Sequence, residues 1–252
     1  MPPIQESFEV GPTGRTIRGT AYRPDGWRRG PAVLMLHGFT GNRLETGYMF
    51  VTLGRALARR GMAAVTFDCR HCGESDGSFE QMLATGLVED TITMTRWMQT
   101  RVYADRSRLA VLGFSLGGLM AACSAPRVDP WRTMVLLAPT TVENLCRYAA
   151  RAESSDPVTV GPHELHPRLF DDLRTLDPLG DIVTNPRPTL VVQGAEDKAV
   201  PPDVSRQYVD RLEAGRIEVK LEMVPEADHG FSRRAARQQL VRLVGDWLAA
   251  RL

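Results

Sequence analysis

Lysine is almost missing from this sequence: Lys198 and Lys220 stand alone among 31 basic residues, and the rest are arginine. The arginines are scattered and matched by 30 acidic residues, for a net charge of +1. A balanced surface gives no electrostatic footing to nucleic acid or to an anionic membrane, and neither is expected as a partner. Long apolar runs are lacking too, so no segment approaches a membrane span. The first residues, MPPIQESFEV, show no charged-then-apolar leader pattern. Cysteine is sparse, with Cys69, Cys72, Cys123 and Cys146 the four in 252 residues. That density argues against a secreted disulfide framework and for free thiols in a reducing cytoplasm. Repeats and low-complexity tracts are also absent.

What is present is an ordinary enzyme-like composition, 43% hydrophobic and 24% charged, in a chain long enough for one large α/β domain or two small ones. Strand-like runs fall at Ser7–Val10, Thr16–Tyr22, Ala32–Leu36, Ala63–Phe67, Arg108–Leu112, Met134–Ala138, Thr189–Gln193 and Ile217–Val224. The first two alternate and sit close together, as a hairpin would. Several runs from Ala32 onward are short and continuously apolar, which suits parallel strands buried on both faces. Helical spacing is predicted over Leu44–Arg60, Gly86–Arg101, Leu116–Cys123, Pro202–Leu212 and Arg234–Arg251. The alternation predicts an open, mostly parallel sheet with helices on both faces. One stretch, 141–188, is rich in Pro, Asp and His and too long for an ordinary connection. It is expected to be an insertion with short helices of its own, set into a core of residues 1–140 and 189–252.

Chemistry concentrates at strand ends, where open parallel sheets gather their ligands. Val111-Leu112-Gly113-Phe114-Ser115-Leu116-Gly117-Gly118 places one hydroxyl on a sharp strand-to-helix corner, with glycines wherever a side chain would collide with neighbouring chain. A free serine is a poor nucleophile and needs a base, which an acid must orient. Of five histidines, His229 lies in the loop between the last strand and the last helix, on the same rim as Ser115. The acid is read as Asp197, in the loop after the penultimate strand. Glu196 and Glu143 remain alternatives, and Asp228 adjoins His229 too closely in sequence to orient its ring. An oxyanion needs two amide donors, and the choice falls on Phe39 and Leu116. Phe39 belongs to His37-Gly38-Phe39-Thr40-Gly41-Asn42, where Gly38 lets the chain turn back over the site and His37 is expected to hold the loop by hydrogen bonds.

Ser115, Asp197 and His229 in that order, with HGFTGN upstream, resemble the α/β-hydrolase fold family across essentially the whole chain. The resemblance implies a mostly parallel eight-stranded sheet with helices on both faces and a small cap, 141–188. Within the family, HGFTGN, the run Glu74-Ser75-Asp76-Gly77 and the insertion look like bacterial cinnamoyl (feruloyl) esterases and related carboxylesterases. That likeness implies hydrolysis of small acyl or aryl esters through an acyl-enzyme, with no cofactor and no metal, a small-molecule ester as partner and a homodimer left open. His37, Gly38, Tyr148, His163, His166 and Phe170 are the expected substrate-binding residues.

Two departures stand out. Where relatives often read Asp-x-Arg-Gly-His-Gly-x-Ser, this chain has Asp68-Cys69-Arg70-His71-Cys72-Gly73-Glu74-Ser75, a bulkier loop expected to alter the pocket edge. The cap also offers no clear match to the family's tyrosine for a phenolic hydroxyl. Cys69-x-x-Cys72 could form a redox pair or half a zinc site, yet Cys123 and Cys146 are too far apart to supply the second half. Acyltransferase, serine peptidase and haloperoxidase chemistry share the same three residues, and a ligand-binding module can retain them without turnover.

Overall fold

A computed structural model of the chain describes residues 3–128, 131–151 and 158–252, apart from the side chains of 148–151. Ten strands are described: β1 (Ile4–Val10), β2 (Ile17–Arg23), β3 (Gly30–Leu36), β4 (Ala63–Asp68), β5 (Ala104–Phe114), β6 (Thr133–Leu137), β7 (Val158–Val160), β8 (His163–Leu165), β9 (Thr189–Gly194) and β10 (Val219–Val224). Eight of them make one sheet in the order β1-β2-β4-β3-β5-β6-β9-β10. The β1–β2 and β2–β4 pairs are antiparallel and all later pairs are parallel.

The parallel strands are apolar throughout because both of their faces are covered. In β3, Ala32, Leu34 and Leu36 join one buried cluster, while Val33 and Met35 point to the other. This is the two-residue alternation of an extended chain. The second cluster packs under α1 (Met49–Arg59) and α8 (Arg234–Ala249), through Leu53, Leu57, Leu240 and Val244. The first packs under α2 (Ala84–Gln99), α3 (Leu116–Ser124) and α7 (Pro202–Ala214), through Leu87, Ile92, Leu119 and Tyr208.

Two boundaries differ from the sequence reading for physical reasons. Helix α1 starts at Met49 rather than Leu44, because Gly47 and Tyr48 hold positive φ of 58° and 57° and break the helical path. Strand β5 begins at Ala104, ahead of Arg108, and its pairing with β3 shifts register between Gly30 and Ala32, so the polar run Asp105–Arg108 is accommodated at an irregularity.

Residues 141–188 contain α4 (Val142–Arg151), the two-stranded β7–β8 hairpin, α5 (Arg168–Leu173) and α6 (Pro178–Asp181). The hairpin was not legible, since three-residue strands carry too little periodicity. Leu165, Leu169, Phe170 and Leu173 fasten the segment to the core. No described helix is long and apolar enough to cross a membrane.

Candidate functional site

Ser115 stands between β5 and α3 with φ 54° and ψ −115°, a conformation costly for any residue with a side chain. The neighbours impose it. A Cβ on Gly113 would collide with the Gly117 carbonyl, and one on Gly117 with the carbonyls of Leu36 and His37. The corner is held by Ser115 N–H donating to Leu137 O at 2.8 Å and by Thr140 N–H donating to Ser115 O at 3.2 Å. Leu116 opens α3, so its N–H has no acceptor within the helix.

His229 hangs between β10 and α8, in a loop bent by positive φ at Glu226 and Phe231. Its Nδ1 donates to Asp197 Oδ2 at 2.7 Å. That bond leaves Nε2 as the acceptor nitrogen of the ring. The imidazole also rests 4.8 Å from the Phe114 ring, next to Ser115. Asp197 is buried, and its Oδ1 accepts the Ala199 and Val200 amides, each at 2.9 Å. The two loops can meet because residue 194 is glycine: a Cβ there would strike Ala227 O, which accepts the Glu196 N–H at 2.9 Å. Of the alternative acids, Glu196 and Glu143 are exposed. Asp228 turns to Ser232 instead, and those hydrogen bonds, from hydroxyl and amide, hold its carboxyl below the usual range.

The HGFTGN turn packs against this corner. An added Cβ on Gly38 would lie 3.3 Å from Ser115 Cβ, and Gly38 N–H donates to the buried Glu45 at 2.6 Å. His37 is buried; its Nε2 accepts from Cys69 N–H at 3.2 Å, which places its proton on Nδ1, 2.9 Å from Gly38 O. His37 is thereby a loop brace and does not line the pocket.

Ser115, His229, Gly38 and Phe39 share one pocket of about 380 Å³. The segment 141–188 contributes Asn144, Leu145 and Val160 to its wall, and Glu45 and Thr140 complete the polar side. These residues escaped the sequence reading. Thr140 and Asn144 follow β6 directly, so the strand-end rule could have found them.

The other expected contacts lie elsewhere. His166 is exposed and accepts from Arg168 N–H at 3.1 Å. His163 stacks on Phe79 at 4.3 Å, and Phe79 in turn lies 6.2 Å from Phe39, so this histidine ties the hairpin to the HGFTGN turn rather than lining the pocket. Phe170 is buried in a separate small apolar cavity with Phe39 and Leu116, because the apolar face of its helix packs inward. The side chain of Tyr148 falls outside the described residues. The His71–Cys72 loop stays off the pocket wall. His71 holds φ 72°, which explains why glycine suits this position in the pattern it departs from.

Cys69 and Cys72 are both buried and unbridged. Burial, then the Asp90 charge, pushes the Cys69 thiol far up, and burial with the Asp68 charge pushes Cys72 up to about 12. Neither is a thiolate near neutrality, so neither is a ready nucleophile. Among the described residues no three His, Cys, Asp or Glu side chains gather as a metal site. Iodoacetamide at neutral pH is expected to alkylate the half-buried Cys146 in the native protein, and Cys69, Cys72 and Cys123 only after unfolding. Mass spectrometry reads the outcome, and fast native labelling of Cys69 or Cys72 would restore the redox reading.

The strand order, the strained serine corner and the paired imidazole and carboxylate on one rim define an α/β-hydrolase fold. Residues 50–252 match the prolyl oligopeptidase family, Peptidase_S9, and the chain belongs to that family. It is 33% identical over 95 residues to an uncharacterized 31.7 kDa protein from the traX-finO intergenic region of Escherichia coli. That match spans 38% of this chain and 32%, about a third, of the relative. It is 26% identical over 164 residues to esterase LipC of Mycobacterium tuberculosis, spanning 56% of this chain and 40% of LipC. Among solved structures, Est1E from Butyrivibrio proteoclasticus with ferulic acid bound superposes with a TM-score of 0.85, at 19% identity, over 97% of this chain and 98% of that one.

Proposed function

We propose that the chain is a serine hydrolase that cleaves carboxylic esters through an acyl-enzyme. The observation that carries the proposal is the 2.7 Å bond from His229 Nδ1 to the buried Asp197, in the pocket that holds Ser115 on its strained corner. His229 Nε2 takes the hydroxyl proton as Ser115 Oγ attacks the ester carbonyl. Asp197 fixes the ring tautomer and stabilises the imidazolium that forms. The Phe39 and Leu116 amides receive the charge on the carbonyl oxygen, a contribution of a few kcal/mol per donor. The imidazolium then protonates the departing alcohol oxygen as the carbon–oxygen bond breaks. Water, deprotonated in turn by His229, releases the acid and restores Ser115.

Esterase LipC among the relatives, and ferulic acid bound in the similarly folded Est1E, support an ester substrate with a small or aryl acyl group. The family match favours a second reading, peptide or amide cleavage by the same three residues. The catalytic step is tested by a fluorophosphonate probe followed by peptide mapping. Covalent label on Ser115, lost on denaturation before labelling, is the expected result. An unlabelled Ser115 in folded protein would instead mark a binding module that turns nothing over. A matched panel of aryl esters and peptide amides then separates the two catalytic readings.

A further inference from the structure

We propose that Gln193 is a positioning residue for the His229–Asp197 pair, gripping the carboxylate through the same oxygen that faces the imidazole. The proposal rests on reading Ser115, His229 and Asp197 as one catalytic unit. Gln193 lies near the end of β9 and is fully buried. Its Nε2 donates to Asp197 Oδ2 at 3.2 Å and to the carbonyls of Gly194 and Val200, each at 3.1 Å. Its Oε1 accepts from Ser205 Oγ at 2.5 Å, and Ser205 is itself a buried residue of α7.

The direction of this amide is fixed by its surroundings. The nitrogen end meets three oxygens that can only accept, whereas the oxygen end meets a hydroxyl that can donate. Turning the amide over would set Oε1 against all three acceptors, a buried conflict with no compensating bond.

The two oxygens of Asp197 therefore serve different ends. Oδ1 is tied to the Ala199 and Val200 amides, while Oδ2 is divided between His229 Nδ1 at 2.7 Å and Gln193 Nε2 at 3.2 Å. Without Gln193, Oδ2 would have the imidazole as its one side-chain donor, and the carboxylate could rock about its Cβ–Cγ bond. Gln193 holds that torsion still. It also draws negative charge from Oδ2, which moderates how strongly the carboxylate favours the imidazolium over the neutral ring. The other charged groups facing His229 are Asp228 on its own loop and Glu45 from the segment ahead of α1, with the Arg237 guanidinium of α8 acting on both. None of these three touches Gln193, so they stay constant when it is changed.

Gln193→Met keeps the length and removes the donor. The pH profile of kcat/KM for a short aryl ester should then shift its acid limb upward by roughly half to one pH unit. The plateau kcat should fall about tenfold as the ring loses its fixed aim. KM should hardly move, since Gln193 is no part of the pocket wall. Gln193→His, which restores an N–H donor at similar reach, should return the limb toward the parent position. A lowered Tm with limb and plateau unchanged would mean that Gln193 merely packs, and would overturn the proposal. Should Gln193→Met fail to fold, Ser205→Ala frees the oxygen end and should move the limb in the same direction; a profile superimposable on the parent would be equally fatal. Failure of the underlying triad shows differently, as turnover that survives Ser115→Ala whatever the Gln193 variants do.

Discussion

Ser115→Ala is expected to lower ester turnover by about 10⁴-fold or more while leaving the thermal unfolding transition in place. The loss is large because nucleophile, base and acid act as a unit, so removing one leaves only binding and the amide donors to help the reaction. The fold should survive, because Ser115 Oγ holds nothing together: the corner is fixed by backbone bonds to Leu137 and Thr140 and by the glycines around it. Alanine even relieves a little crowding, although it inherits the φ of 54°. Initial rates on a p-nitrophenyl ester, beside a melting curve, decide the matter. Near-parental rates with an unchanged melt would remove Ser115 from the chemistry.

Gly117→Ala is expected to do the reverse, costing the fold first and activity as a result. Its Cβ would sit 2.8 Å from His37 O and nearer still to Leu36 O, both of them backbone atoms of β3 and its exit turn. Backbone at the centre of a sheet cannot swing aside as a side chain can. The expected loss is about 3 kcal/mol, at the upper end for overpacking in a well-filled interior. Urea unfolding followed by circular dichroism measures it. A variant as stable as the parent would mean that helix α3 and strand β3 approach less closely than the structure has them. Any activity left in a folded fraction should be reduced as well, since the same shift would move the HGFTGN turn away from Ser115.

Much of this architecture could be read in advance because it depends on local rules. A buried parallel strand must be apolar throughout, and a corner that tolerates no side chains must be written in glycine. Ser115 and Gly113 were therefore visible, and the loops holding His229 and Asp197 followed from the strand count. The hydrogen bond that joins these two loops was beyond such rules. It depends on Gly194 and Ala227 meeting across 33 residues of chain, a contact no periodicity encodes. The pocket wall was harder still. His163 looked like a ligand-binding residue by type, and only the placement of Phe79 shows it stacked on a ring instead. Glu45 drew no notice, because its carboxylate reaches Gly38 through a φ of 59° in a turn with no regular pattern. Gln193 reads as one more residue of an apolar strand until its four neighbours are seen.

The layout of the sheet also ranks the three groups by how firmly each is moored. The serine rises from β5 at the middle of the sheet, whereas the imidazole is slung from β10, the outermost strand on its side and only partly covered. Mild denaturant should loosen that rim before the centre gives way. The protein would then lose its proton acceptor while still spectroscopically folded, so hydrolysis should fade ahead of ellipticity as urea is raised.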